Sequence, residues 1–103
     1  MTRREVKMTD SALYDLFDLD YTIRQEFQAP LTAGRYLTDL KKQIKSLSRI
    51  AELRVVQPAL SMEYGLEIRR LNFKKMAYLY SIEENIVIVH RIIPQNLIKS
   101  NQK

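Results

Sequence analysis

Four cationic side chains lie within seven residues of the second half of this 103-residue chain: Arg69, Arg70, Lys74 and Lys75. Such a density of fixed cations suits a phosphate-binding surface, and arginine can also bind a phosphate through two parallel hydrogen bonds. In RNA cleavage by 2′-OH attack, these cations would stabilise the charge that builds on the scissile phosphate. The same composition is typical of a solvated sheet edge, where lysine discourages edge-to-edge pairing. Adjacent residues of a regular strand face opposite sides, so Arg69 and Arg70 cannot both serve one site.

The only histidine, His90, is the one side chain whose unperturbed pKa is near neutral. It alternates with Ile86, Ile88 and Ile92, which places it on one face of a predicted strand. Two interpretations are open: a general acid or base beside the basic strand, with Arg70 as its catalytic partner, or a hydrogen-bonded sheet histidine. Arg91 faces the other way and is a candidate ligand for a phosphate or for the carboxylate of a protein partner.

Other residue types give weaker indications of a site. Tyr64, Tyr78 and Tyr80 could stack on bases, although tyrosines on alternating strands more often pack in the core. Asp15 and Asp18 could share a helix face, but no histidine joins them and such acids are usually solvated. The two glycines are isolated, so no glycine-rich phosphate loop is formed. We therefore expect neither a metal nor a cofactor.

Length and composition predict one globular domain over residues 1–103, since 46% of the residues are hydrophobic and only two are glycine. The chain has no cysteine, and neither a signal peptide nor an apolar run of membrane-spanning length is recognisable. These features favour a cytoplasmic location with no membrane partner. The net charge of +5 favours a polyanion or an acidic protein as partner. That charge is uneven, because residues 10–26 carry five acids and one base whereas residues 35–54 carry six bases and two acids.

Hydrophobic periodicity predicts strand, helix, helix, strand, strand, strand. The expected ranges are 4–8, 10–27, 31–51, 66–73, 76–82 and 86–93, with a patternless connection at 54–63 and a polar tail at 95–103. The helical stripes comprise Ala12, Leu16, Leu19, Ile23 and Phe27, then Ala33, Leu37, Leu40, Ile44 and Leu47. We expect an α+β fold in which an antiparallel β-sheet carries an N-terminal helical hairpin on one face. Leu16, Ile23, Leu37 and Ile44 should be nearly fully buried.

The segments IRRLNFKKMAYLY (68–80) and IVIVHRIIP (86–94) resemble the RelE/ParE superfamily of bacterial type II toxins, in a plasmid-stabilisation variant of Bacteroides type. The resemblance spans about residues 5 to 93. It also includes Ala12, Leu16, Tyr21, Ala33, Leu37, Ile44, Leu47, Pro58 and Tyr64. It implies the same α+β fold, in a β-α-α-β-β-β order, and a toxin neutralised by a cognate antitoxin.

Two activities occur in that superfamily, and the resemblance leans towards one. RelE-like members are ribosome-dependent mRNA endonucleases with bases on the second and third strands and an Arg with an aromatic after the fourth. Here Arg70 matches one of these bases, Ile68 and Ala77 replace the others, and residues 94–98 contain neither Arg nor Tyr. The resemblance therefore favours a ParE-like inhibitor of DNA gyrase, with an endonuclease or an inactive binding member as alternatives.

Overall fold

The computed structural model describes residues 3–26 and 28–98, which form three α-helices and four β-strands. In chain order these are β1 (Glu5–Met8), α1 (Asp10–Glu26), α2 (Pro30–Ile50), α3 (Pro58–Tyr64), β2 (Arg69–Phe73), β3 (Met76–Glu83) and β4 (Ile86–Pro94). Short 3-10 helices lie at Ala51–Leu53 and Gln95–Leu97. The α+β class and the helical hairpin predicted from the sequence are confirmed. Phe27 and residues 99–103, part of the predicted helix 1 and of the predicted tail, lie outside the described residues.

The sheet has the order β1-β4-β3-β2 and is mixed. β2 pairs with β3 and β3 with β4 in antiparallel fashion, as expected, whereas β1 runs parallel to β4 with Glu5 opposite Ile86 and Met8 opposite Val89. The expectation of an antiparallel sheet throughout is therefore corrected at β1. The direction of β1 relative to β4 depends on the path of the chain between them. Local residue patterns do not encode that path.

The side chain of Thr9 determines where α1 begins. Its Oγ1 accepts the backbone N–H of Ala12 at 3.1 Å and donates to the carbonyl of His90 at 2.9 Å. The first contact caps the helix, and the second joins the cap to β4. The helix-start signal at residues 9–11 is thus confirmed.

The core lies between the helical hairpin and one face of the sheet. Its buried members from α1 and α2 are Ala12, Leu16, Leu37, Leu40, Ile44 and Leu47, and those from the sheet are Leu71, Met76, Tyr78, Tyr80, Val87, Val89 and Ile92. Leu16, Leu37 and Ile44 are buried as predicted, but Ile23 is only half-buried. Ile23 lines an open hollow with Ala29 and Tyr36, so solvent reaches it.

The predicted connection 54–63 is wrong in one respect, because it contains most of α3. Pro58 occupies its first turn, where a missing N–H costs nothing. Gly65 ends it at a φ of 76°, with its N–H donated to the carbonyl of Ser61. α3 has no buried residue. A helix of two turns without an apolar stripe gives no periodic signal.

The predicted C-terminal tail begins with a segment that contacts the sheet. The backbone N–H of Gln95 donates to the carbonyl of Lys75, and its side-chain amide donates to the carbonyl of Met76. The segment after β4 is thus tied to the start of β3.

Within the described residues, no helix is both long and apolar enough to cross a membrane.

Leu47→Ala should lower the free energy of unfolding by about 2–5 kcal/mol, because Leu47 is fully buried and its removal leaves a cavity. The matched control on the same helix is Leu31→Ala, whose side chain is 79% exposed and whose loss should cost below about 0.5 kcal/mol. Urea denaturation of both variants measures the difference. Equal, small losses at both positions would contradict the hairpin core.

Candidate functional site

The sequence cluster Arg69 to Lys75 does not form one site. Arg69 donates from Nη1 to the carbonyl of Arg54 at 2.6 Å, which fastens the segment before α3 to the edge strand β2. Arg70 lies on the other face and donates from Nε to Oδ1 of Asn72 at 2.8 Å. Arg69 therefore serves the fold, and Arg70 is separated from it by the sheet, as strand alternation requires.

The two lysines of the cluster form the turn between β2 and β3. Lys74 and Lys75 both have positive φ, 48° and 71°. The Lys74 ammonium lies 2.7 Å from Oδ2 of Asp39 on α2, and the Tyr36 hydroxyl donates to the Lys74 carbonyl. The hydrogen bond from Lys74 holds the pKa of the Asp39 carboxyl below its ordinary value. α2 and the turn are thus connected by two polar contacts.

His90 lies at a β-bulge in β4. Leu79 pairs with Arg91 and Tyr80 with Val89, so His90 has no direct partner across the ladder. Its Nε2 is 2.8 Å from the hydroxyl of Ser81, which is buried, and its ring meets that of Tyr64 edge-on at 6.1 Å. Burial lowers the pKa of His90, partly offset by the nearby charge of Glu83. The imidazole thus lies in a small polar contact between the sheet and α3, where burial disfavours its protonated form.

Arg91 is bound by Asp15 of α1. Its Nε and Nη2 donate to the two carboxylate oxygens at 2.8 and 3.0 Å, and Asp15 also accepts the backbone N–H of Ile92 at 2.8 Å. The Asp15 hydrogen bond raises the pKa of Arg91. The candidate phosphate ligand is thus an anchor for the first helix, which the sequence analysis missed because it treated Asp15 as a solvated acid.

One row of the sheet nevertheless brings two candidate residues to the same face. Arg70 and Arg91 are the ladder partners of Leu79 from its two sides, so their side chains leave the same face roughly 10 Å apart. His90 adjoins this row at the bulge, which interrupts the strand alternation, so the expectation that Arg91 faces away from His90 is wrong. Two guanidinium groups and one imidazole therefore share this face, each with an intramolecular partner.

The strand tyrosines belong to the core. Tyr78 and Tyr80 are fully buried, and their hydroxyls donate to the carbonyls of Leu40 and Ala51 at 2.9 and 2.6 Å. Burial raises the pKa of both hydroxyls, that of Tyr80 to about 12. Only Tyr64 is half-buried and next to a candidate residue. Base stacking by Tyr78 or Tyr80 is excluded by their position.

An apolar groove between α1 and α2 is the feature that the sequence analysis missed. It encloses about 340 Å³ and is lined by Leu13, Leu16, Phe17, Asp20, Arg24, Gly34, Leu37, Thr38 and Lys41. Phe17 is 71% exposed at its rim, and Tyr14 and Tyr21 are similarly exposed on the same helix. The signal was present in the sequence, since Leu13, Phe17 and Tyr21 recur every four residues beside the core stripe.

Gly34 in the floor of this groove is not required by the packing of the fold. A Cβ built there would meet nothing within 4 Å, apart from its own helix backbone and chain neighbours. Glycine in a helix interior also costs about 1 kcal/mol relative to alanine.

In residues 3–26 and 28–98, no group of three His, Asp or Glu side chains is arranged to hold a metal ion. The groove, the sheet face and the lysine turn are therefore the three candidate surfaces.

No protein-family model matches this sequence, and no curated protein matches it. Among solved structures, the fold is similar to that of a chain in the chromosomal ParDE TA system from P. aeruginosa, with a TM-score of 0.70 and 19% sequence identity. The similarity covers 89% of this chain and 96% of that chain. It confirms the RelE/ParE-like fold predicted from the sequence.

Asp15→Asn should lower the free energy of unfolding by about 2–3 kcal/mol, because it leaves a partly buried guanidinium and a strand N–H without a charged acceptor. Asp18→Asn, on an exposed position of the same helix, is the matched control and should change little. Chemical denaturation compares the two. A loss at Asp18 as large as that at Asp15 would contradict the anchoring role.

The lowered pKa of His90 predicts that stability falls as the pH drops below the unfolded value of 6.5, because the unfolded chain then binds a proton that the folded chain refuses. His90→Gln removes this contribution. Its free energy of unfolding should therefore change less than that of the parent between pH 7 and the lowered folded-state pKa. Thermal denaturation across pH measures both, and parallel curves would contradict a lowered pKa of His90 in the folded protein.

Proposed function

We propose that this protein is the toxin of a bacterial type II toxin–antitoxin pair, of the ParE-like branch, acting in the cytoplasm. The observation that carries the proposal is the fold shared with a ParDE chain, at a TM-score of 0.70 over 89% of this chain. The ParE-like segments around β2, β3 and β4 lead to the same assignment from the sequence. The target we assign is DNA gyrase, and the cognate antitoxin keeps the toxin inactive.

The groove between α1 and α2 is the proposed seat of the antitoxin. Exposed apolar side chains around a groove are typical of a protein-binding surface, and an amphipathic helix could place its apolar face there. Gly34 leaves room for a close approach of the partner. Lys41 on the wall of the groove favours an antitoxin segment that carries an acidic residue at this point.

A non-catalytic block of the target is supported by the contacts of the candidate catalytic residues. Arg70 is bonded to Asn72, Arg91 to Asp15, and His90 to the buried Ser81. None of these groups is arranged around an open nucleophile site with the RelE-like bases, whose positions hold Ile68 and Ala77. Toxicity should therefore depend on surface binding rather than on acid–base chemistry.

The alternative function is a ribosome-dependent mRNA endonuclease. The specific observation in its favour is the face that carries Arg70, His90 and Arg91. In that case Arg70 would stabilise the phosphate and His90 would move the proton. His90 would then be a catalytic residue.

Inducible expression in bacteria tests the proposal. We expect growth arrest with filamentation and a DNA-damage response, which indicates a gyrase target, whereas early loss of protein synthesis would indicate the endonuclease. His90→Gln at matched protein level should keep the arrest. Arg70→Ala tests whether the arrest requires surface charge. A single change is preferable to a double change of Arg69 and Arg70, because Arg69 anchors the fold. Absence of arrest with the parent chain would leave the third reading, a family member that only binds its partner, and would refute a toxin.

Neutralisation tests the groove. Co-expression of the product of the neighbouring reading frame should rescue growth with the parent chain. Gly34→Leu should remain toxic and lose this rescue, because a Cβ at this position meets nothing within 4 Å in the free protein and the larger side chain should obstruct the groove. Lys45→Leu, exposed on α2 and outside the groove lining, is the matched control and should still be rescued. Full rescue of Gly34→Leu would place the antitoxin elsewhere.

A further inference from the structure

The turn between β2 and β3 contains two residues that the fold alone does not favour. A two-residue hairpin loop with positive φ at both positions is normally built from Asn-Gly, because Cβ crowds the backbone in the left-handed region. Here Lys74 and Lys75 occupy both positions, at φ 48° and 71°. Strain that is kept in this way points to a role for the side chains beyond folding.

The same turn adjoins a set of cations on α2. Lys74 is held 2.7 Å from Asp39, and Arg35 lies one helical turn before Asp39. Lys42, three residues after Asp39, contributes to the electrostatic field that lowers the pKa of its carboxyl. We call these four cations, Arg35, Lys42, Lys74 and Lys75, the turn ridge; Asp39 is the one carboxylate among them. Within the described residues, no acidic side chain lies within ion-pair distance of Lys75.

We propose that the turn ridge binds the phosphodiester backbone of a nucleic acid, without reading its sequence. Three of its four cations are lysines, which bind phosphate as point charges, and the fourth is an arginine, whose fork also matches a phosphate. The row runs along one face of α2 to the exposed lysines of the adjoining turn, and cations along a helix together with a pI near 9.6 are typical of domains that bind nucleic acids. The inference does not depend on the toxin assignment, because the surface is separate from the groove and from the face of Arg70 and His90.

Fluorescence anisotropy with a labelled single-stranded RNA, and with a labelled DNA duplex of equal length, tests this proposal. Affinity should fall linearly with the logarithm of salt concentration. Lys75→Gly should weaken binding roughly fivefold to tenfold at about 0.1 M salt and reduce the slope by roughly 0.7–0.9, the loss of one phosphate contact. Asp39→Asn should instead tighten binding, since it releases Lys74 from its ion pair.

Two matched controls separate charge, strain and position. Glu84→Gly removes a side chain at a positive φ of 55° in the other hairpin turn. Both glycine variants should therefore melt at a higher temperature than the parent, but only Lys75→Gly should bind nucleic acid more weakly. Lys7→Gln removes one exposed positive charge from β1, at the opposite edge of the sheet, and should change affinity less than Lys75→Gly.

The outcomes of this experiment are distinct. Preference for the RNA or for the duplex identifies the source of the phosphate, and either result supports the proposal if Lys75→Gly weakens it. Binding to neither probe, or equal effects of Lys75→Gly and Lys7→Gln, would overturn it. Displacement of the probes by an equal charge concentration of poly-glutamate would also overturn it, because the ridge would then fit an acidic protein as well.

Discussion

The placement of the first helix depends on the free edge of β4. β1 covers β4 only from Ile86 to Val89, which leaves the later part of that strand without a neighbour on this side. The hydroxyl of Thr9 donates to the carbonyl of His90 on this edge, and Asp15 accepts the N–H of Ile92 while binding Arg91 through both oxygens. An unpaired strand edge is costly when buried and a liability when exposed. The start of α1 therefore completes the sheet where β1 ends.

Contacts within the fold separate the arginines that hold the structure together from those that are free to bind a partner. Arg91 anchors α1 and Arg69 anchors the segment before α3, so neither is a free surface cation. Once α1 is fixed along β4, its core stripe faces the sheet and its second stripe, with Phe17, remains in solvent beside α2. The same Asp15–Arg91 contact that engages Arg91 therefore also leaves the groove exposed. A charge count along the sequence cannot make this distinction, because it depends on contacts with residues that are distant in the chain.

The sequence predicted what depends on local periodicity. The ranges of α1, α2, β3 and β4 are within about two residues of the structure, and Leu37, Ile44 and Leu16 are buried because their spacing matches the helical repeat. The parallel pairing of β1 and the helix α3 were missed, since the first depends on chain direction in space and the second has no apolar stripe. The prediction that Ile23 is nearly fully buried was wrong for a related reason. Periodicity shows which face of a helix is apolar, but it does not show how far the rest of the protein covers that face.

The candidate site was less predictable, because its properties arise from tertiary contacts. The lowered pKa of His90 depends on its partial burial at a bulge beside Ser81, and a bulge changes the strand alternation on which the prediction was based. The split of the cluster Arg69 to Lys75 was foreseen for the two arginines from strand alternation alone. The positive φ of both turn lysines was not, because Lys-Lys carries none of the usual signals of a two-residue hairpin loop.

The two proposed binding surfaces share α2, and this proximity couples them. Gly34 and Lys41 line the groove, whereas Arg35 and Lys42 belong to the turn ridge, with Thr38 between the two. A partner that fills the groove and carries acids across α2 would lower the positive potential of the ridge and weaken its hold on a polyanion. Linkage then requires the polyanion to weaken the partner by the same factor. A neutralising partner could therefore release a nucleic acid from this protein without touching Lys75.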